Sequence, residues 1–256
     1  MSDAVTDALY RLDRGRPADT AVLASHPDGT VDDGLSLQLA VLDRWVGAGS
    51  ALGGWKVGLT SRGARDSMGP GVRPFGFILA ERILRSGTEL PFGQGTLRIE
   101  PEICLTIGSR LAGDRVGPQD ARRAVSAVAP SFEILTPALP RDYARTVRLG
   151  YRLNQWGIVV GEQQQPDVDL PRVTVTVWAD GAKVDEATAD PEIVDDPYTS
   201  LARLCHRLAA HGLGLEPGQR VIVGSLTPAV TLSSAHRWEA RFAPLGPVEI
   251  RLGAPA

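Results

Sequence analysis

Glu100 and Glu102 stand two apart in Arg98-Ile99-Glu100-Pro101-Glu102-Ile103-Cys104-Leu105, and Glu133 follows in Ser131-Phe132-Glu133-Ile134. Both stretches read as strands. Successive strand side chains point to opposite faces, so Glu100 and Glu102 project from one face while Pro101 points the other way. The N–H that Pro101 lacks predicts an edge or an irregular stretch. Two carboxylates side by side repel, and burying them unpaired is costly. A divalent cation resolves that conflict, and Glu133 would complete a set of three carboxylates. All-oxygen ligation favours a hard ion, Mg²⁺ or Mn²⁺, over zinc. The same spacing also describes a solvated strand face that carries two acids, so both readings stand at this point.

The elements that must position these acids are mostly strands. Residues 3–15 and 35–48 have helical spacing, the second with Leu35, Leu39, Leu42 and Val46 as its apolar stripe. Ser25-His26-Pro27-Asp28-Gly29 between them is turn chemistry. From Gly53 the character changes to short strands, 55–59, 77–80 and 97–107, separated by Gly/Pro-rich connections such as Gly69-Pro70-Gly71 and Pro91-Phe92-Gly93. A helix over 120–128, a strand over 129–135, an irregular stretch to about 153 and a strand over 157–160 follow. Residues 173–178 and 183–187 form a hairpin, and 200–210 an amphipathic helix with Leu201, Leu204, Cys205 and Leu208 on one stripe, ended by Gly212 and Gly214. Strand 221–225 and a hairpin of 238–242 with 248–252 complete the chain. Strands dominate and helices are peripheral, which argues for a mixed-sheet α+β fold and against a βαβ nucleotide fold. An N-terminal helical region over 1–52 would precede a β domain over 53–256.

Composition excludes several classes of function. The 256 residues are 43% hydrophobic and 22% charged, as in an ordinary globular protein. A net charge of −3, with no basic patch among aromatics, gives no footprint for nucleic acid. No apolar run is long enough for a bilayer, and the first residues lack the basic and apolar regions of a signal peptide, so the expected location is the cytoplasm. Two cysteines far apart, Cys104 and Cys205, do not make a disulfide framework. No glycine-rich phosphate loop precedes a helix.

Six blocks follow one another in order: Gly54-Trp55-Lys56-Val57-Gly58-Leu59-Thr60, Pro74-Phe75-Gly76, Glu100-Pro101-Glu102, Pro130-Ser131-Phe132-Glu133, Asp196-Pro197 and Gly224-Ser225-Leu226-Thr227. Together they resemble the 2-oxopent-4-enoate hydratase and 4-oxalocrotonate decarboxylase group of the fumarylacetoacetate hydrolase superfamily. The resemblance implies a strongly curved mixed β-sheet roll, usually oligomeric, with Mg²⁺ or Mn²⁺ held by Glu100, Glu102 and Glu133. It implies a small 2-oxo or 2-hydroxydienoic acid as substrate, chelated to the ion and passing through a stabilised enolate.

Within that resemblance Lys56 shares a strand face with Gly58 and Thr60, while Trp55, Val57 and Leu59 face the core. Lys56 would act as acid or base, and Thr60 would line the substrate site. A solvated lysine on a strand edge is the plain alternative. Ser225 and Thr227 would bind substrate or else satisfy turn backbone. The chain departs from the family pattern in carrying Pro74 before the Phe-Gly pair, Arg152-Leu153-Asn154-Gln155-Trp156 in place of an acidic, Asn- and Ser-containing run, and Ala235-His236 in place of a late Gly-Asp. Arg152 replaces an acid with a carboxylate-binding cation, and Gln155 joins it on the substrate side. Three functions follow: a lyase that hydrates or decarboxylates; a divergent enzyme doing C–C hydrolysis, isomerisation or cyclisation; or a non-catalytic partner of a homologous subunit. The four histidines have no ligand spacing, and a His-Glu pair for hydrolysis is not evident.

Overall fold

A computed structural model of the chain describes residues 3–90, 97–136, 138–140, 142–232 and 236–253. Helices α1 (Asp3–Asp13), α2 (Thr20–Ala24) and α3 (Val31–Gly47) lead into β1 (Leu52–Val57), β2 (Phe75–Leu79), β3 (Ile83–Arg85), β4 (Thr88–Leu90) and β5 (Arg98–Ile107). Then come α4 (Pro118–Ala124), β6 (Val125–Leu135), α5 (Arg145–Gly150), β7 (Gln155–Val160), β8 (Thr174–Ala179), β9 (Ala182–Thr188) and α6 (Pro197–Ala209). Strands β10 (Arg220–Ser225), β11 (Val230–Thr231), β12 (Arg237–Ala243) and β13 (Gly246–Leu252) close the order. The result is α+β, with a mixed eight-stranded sheet, β2-β1-β10-β5-β6-β7-β3 with β11 beside β5, and a mixed five-stranded sheet, β4-β13-β12-β8-β9. The Pro91-Phe92-Gly93 connection and Ala235 lie outside the described residues.

Two faces of the large sheet divide by sequence parity. Trp55, Val57, Phe77, Ile103, Leu105, Phe132, Ile134, Val159, Val221 and Val223 enter the main core, where α6 delivers Leu201, Leu204, Cys205 and Leu208 as its pattern predicts. The opposite face carries a small separate cluster of Ile78, Cys104, Ala129, Ile158 and Ile222. By alternation, Lys56, Glu100, Glu102, Ser131 and Glu133 share that second face.

The helices follow their caps. The Thr30 hydroxyl accepts from Asp33 N while Asp33 returns a bond to Thr30 N, so α3 starts at Val31, earlier than its apolar spacing predicts. Its buried side is Leu35, Leu37, Gln38, Val41 and Leu42. The expected stripe is therefore corrected: Leu39 is only half-buried and Val46 is exposed. Gln38 explains the shift, because Nε2 donates to Phe75 O and Leu149 O while Oε1 accepts from Phe77 N. One polar side chain thus satisfies backbone groups of the end strand β2. The helix expected over 120–128 stops at Ala124, because from Val125 the chain pairs with β5. Helix α5 lies in the stretch expected to be irregular. Strand β1 ends at Val57, so Leu59 is a half-buried left-handed residue and not a core strand position.

Candidate metal centre

Glu100 and Glu133 face each other as a direct cross-strand pair of β5 and β6, and Glu102 pairs with Ser131 one step along the same face. Like charges directly opposite destabilise a sheet. Here the clash involves a third acid: one carboxylate oxygen from each of Glu100, Glu102 and Glu133 lies within 4.8 Å of the other two. Glu102 and Glu133 are buried and Glu100 is half-buried. Pro101 sits inside the sheet, which corrects the edge expectation. The expected irregularity is present, since the β10–β5 register shifts between Ile222 and Ser225 and Pro101 O accepts from Leu226 N at 3.2 Å.

Lys56 reaches this cluster from β1. Its Nζ donates to Glu133 Oε1 at 2.8 Å, with both side chains almost fully buried, so it is not a solvated edge lysine. Gly76 opposite Lys56 makes room, because a Cβ there would come within 2.8 Å of Lys56 Cγ. Glu102 Oε2 accepts from Gly224 N at 2.7 Å. Gly224 has φ +122°, and a side chain there would collide with Thr60 Oγ1, so both backbone and space require glycine.

The electrostatics leave a deficit of positive charge. Burial, then the charge of Glu133, pushes the Glu100 carboxyl up to about 8. Burial, then Glu133 and Glu100, also raises Glu102 well above its ordinary range, against the lowering effect of the Gly224 N–H. Three carboxylates against one ammonium leave two negative charges, the complement of one divalent ion. Without such an ion, protons take up the excess. The donor set is all oxygen, and the one thiol on this face does not compete, since burial pushes Cys104 up to about 12. The residues present therefore fit a hard divalent cation.

The other predicted residues divide into three groups. Ser225 pairs across the sheet with Glu102, but its hydroxyl donates to Thr227 O at 2.7 Å, and Thr227 Oγ1 donates to Pro228 O at 3.3 Å. Both hydroxyls thus serve turn backbone. Thr60 is buried beside Gly224. Arg152 is 1% exposed; its Nη2 donates to Asp13 Oδ1 at 2.6 Å and to Gln155 O at 2.9 Å, with the guanidinium 4.5 Å from the Phe77 ring centre. It is not brought to the carboxylates. Gln155 is, by register, since it pairs with Leu135, and Leu135 pairs with Arg98 on the glutamate face.

Arg152, Leu153 and Asn154 form a turn with φ of 52°, 54° and 71°. Left-handed backbone costs non-glycine residues about 1–2 kcal/mol each, so this turn persists only because its surroundings hold it. Spacing alone missed Gly224 as a hydrogen-bond donor, although the Gly-Ser-Leu-Thr block drew attention to its neighbours. It also missed Asp13, which has no local signal. Two histidines have other neighbours: His206 Nε2 lies 2.7 Å from Val116 O, and His211 meets the edge of Phe75.

No family model matches the chain. It is 30% identical over 206 residues to a 4-oxalocrotonate decarboxylase of a Pseudomonas species, an alignment that covers 79% of each chain. It is 22% identical over 258 residues to 2-oxo-hept-4-ene-1,7-dioate hydratase of Escherichia coli, covering 96% of each. The structure of 4-oxalocrotonate decarboxylase from Pseudomonas putida G7, complexed with magnesium and adipate, matches with a TM-score of 0.83 over 99% of each chain, at 21% identity, which is a likeness of fold.

Proposed function

The chain belongs to the 4-oxalocrotonate decarboxylase and 2-oxopent-4-enoate hydratase group of the fumarylacetoacetate hydrolase superfamily, and we propose that it is a divalent-metal-dependent lyase acting on a 2-oxo or 2-hydroxydienoic acid. The observation that carries this reading is the convergence of Glu100, Glu102 and Glu133, with Lys56 on Glu133 and Arg98 near Glu100 too little positive charge to balance them. A Mg²⁺ or Mn²⁺ ion held by the three carboxylates supplies positive charge against the anionic oxygen that develops when a 2-oxo acid enolises. Lys56 is the catalytic acid: its ammonium, anchored on Glu133, carries a proton that can pass to substrate carbon or pair with substrate carboxylate. Thr60, Ser225, Thr227 and Gln155 border the substrate. Arg152 acts from behind Gln155. The Gly224 N–H fixes the orientation of Glu102, and Ser131 Oγ, which donates to Glu102 O at 2.8 Å, steadies the same residue.

Hydration and decarboxylation both draw electrons towards the same substrate oxygen, so the glutamates and Lys56 serve either. C–C hydrolysis by a His-Glu pair is not favoured, because the His206 ring is held at Val116 O and the His211 ring packs edge-on against Phe75. A non-catalytic partner subunit would have no physical reason to keep three converging acids.

The strongly curved roll belongs to this reading, and connectivity supports it. Strands β2 and β3 end the sheet path on opposite sides, yet only Ala80–Arg82 joins them. Laid flat, seven strands would separate them by roughly 29 Å. The chain from Leu79 to Ile83 spans at most about 15 Å. Ile78 of β2 and Ile158 of β7 also share one apolar cluster. No described helix is long and apolar enough to cross a membrane. A cytoplasmic homo-oligomer, able to associate with a homologous subunit, completes the proposal, with residues 1–52 as a helical region on the β domain of 53–256; light scattering tests the assembly.

Calorimetry with Mg²⁺ or Mn²⁺, with and without oxalate as a flat mimic of the enolate, tests the function. Oxalate binding only in the presence of metal is expected. Absence of metal binding would overturn the reading.

A further inference from the structure

Nine buried side-chain polar atoms among the described residues have no hydrogen-bond partner, and four of them fall on one segment: Arg152 Nη1, Asn154 Oδ1, and both Nε2 and Oε1 of Gln155. Gln155 is fully buried. Protein interiors seldom leave both ends of an amide unpaired; where they do, a water or a ligand completes them.

Three observations say where that amide sits and what sets it there. Gln155 is opposite Leu135, after a one-residue slip of register between Ile134 and Leu135, and so lies on the face of Glu133, about 7 Å along β6. The turn before it abuts the segment that follows Lys56, since Leu153 Cδ1 would stand 3.2 Å from a Cβ on Gly58. Arg152 closes over the turn: Nε and Nη2 donate to Gln155 O at 3.2 and 2.9 Å, while Nη2 also reaches Asp13 Oδ1 at 2.6 Å. Asp13, the last residue of α1, is itself held by Arg82 Nη1 at 2.8 Å and by Trp45 Nε1 on Oδ2 at 2.8 Å.

We infer that Asp13 and Arg152 are positioning residues: they clamp the left-handed turn so that the Gln155 amide faces the carboxylate cluster and donates to a carboxylate oxygen of the 2-oxo acid. This rests on the functional reading above. It changes the part of Arg152 from a substrate ligand to a brace. It also makes the N-terminal helix part of the substrate site without touching the substrate.

The test uses the full chain loaded with Mn²⁺ and 2-oxopentanoate as the probe, with affinity for each read by calorimetry. Gln155→Leu is expected to keep Mn²⁺ affinity and weaken 2-oxopentanoate binding about tenfold, the loss of one hydrogen bond to a charged group. Asp13→Asn is expected to weaken the probe severalfold at unchanged Mn²⁺ affinity. The double variant is expected to bind the probe no worse than Gln155→Leu alone, because Asp13 acts through Gln155. Where Asp13→Asn does not fold, Arg152→Lys takes its place, since it keeps the charge facing Asp13 but loses the forked bond to Gln155 O. Unchanged probe affinity in Gln155→Leu, or additive losses in the double variant, would overturn the inference. Failure of the parent protein to bind 2-oxopentanoate in the presence of Mn²⁺ would instead overturn the functional reading beneath it.

Discussion

At the Asp13 cluster one carboxylate serves two guanidiniums, Arg82 at 2.8 Å and Arg152 at 2.6 Å; on the glutamate face, three carboxylates share the single ammonium of Lys56. Both are buried, but the balance of charge is opposite. Burial alone would raise Asp13, yet Arg152 and Arg82 outweigh it and hold that carboxyl below its ordinary value. Burial raises Glu100 and Glu102 as well, and there the neighbouring acids add to it. The first cluster needs no further positive charge and ties helices to strands. The second is complete only with further positive charge, which is what marks it as a site.

The same chemical change should therefore have opposite consequences in the two places. The largest effect is on metal: Glu102→Gln is expected to weaken Mg²⁺ binding at least a hundredfold by calorimetry and to abolish turnover of a 2-oxo acid, and unchanged affinity would break the comparison at its centre. Lys56→Ala should lose turnover while keeping Mg²⁺ binding; loss of folding would make Lys56 structural. Asp13→Asn strands two buried guanidiniums and should cost about 3–5 kcal/mol in urea unfolding. Glu102→Gln, measured by the same method in EDTA, should leave stability unchanged or raise it, since it removes repulsion.

The smallest effect is on pH, and its sign differs between clusters. Glu100 has a folded value raised from 4.5 to about 8. Its contribution to metal-free stability is full below pH 4.5 and declines as pH rises towards 8, while Mg²⁺ affinity climbs through the same window. Asp13 has a lowered folded value, so its contribution is present above pH 3.8 and is lost as pH falls through the folded value. Denaturation and Mg²⁺ titrations across pH 3–9 would separate the two slopes.

How much of this was legible in the sequence depended on distance along the chain. The period of two placed Glu100 and Glu102 on one face, and the ordered blocks supplied Lys56 and Glu133. Nothing local announced that Glu100 and Glu133 would be direct partners, which is a matter of register between strands. Arg152 was legible as an unusual cation, but its partner is 139 positions away and redirects it. Short elements such as α2, α5, β3, β4 and β11 were missed because a few residues carry too little periodicity. The helix expected over 120–128 begins two residues earlier, at Pro118 after Gly117, and its end is set by pairing of Val125 with Ile107. In α3 the burial of Gln38 follows from the unpaired edge of β2, a tertiary demand that no apolar stripe encodes.

The Gly224 N–H that meets Glu102 also has a consequence for how the chain is made. Lys56, Glu102, Glu133 and Gly224 come from four strands spread over most of the sequence. On a ribosome, the acids emerge long before the strand that completes their surroundings. The nascent chain must therefore carry them in water, where they repel little, until β10 inserts between β1 and β5. Burial behind β10 then strengthens a repulsion that begins when β5 pairs with β6, and a divalent ion that binds the completed site favours the folded chain over the unfolded one. Metal supply during synthesis would thus set the yield of folded protein as well as its later activity.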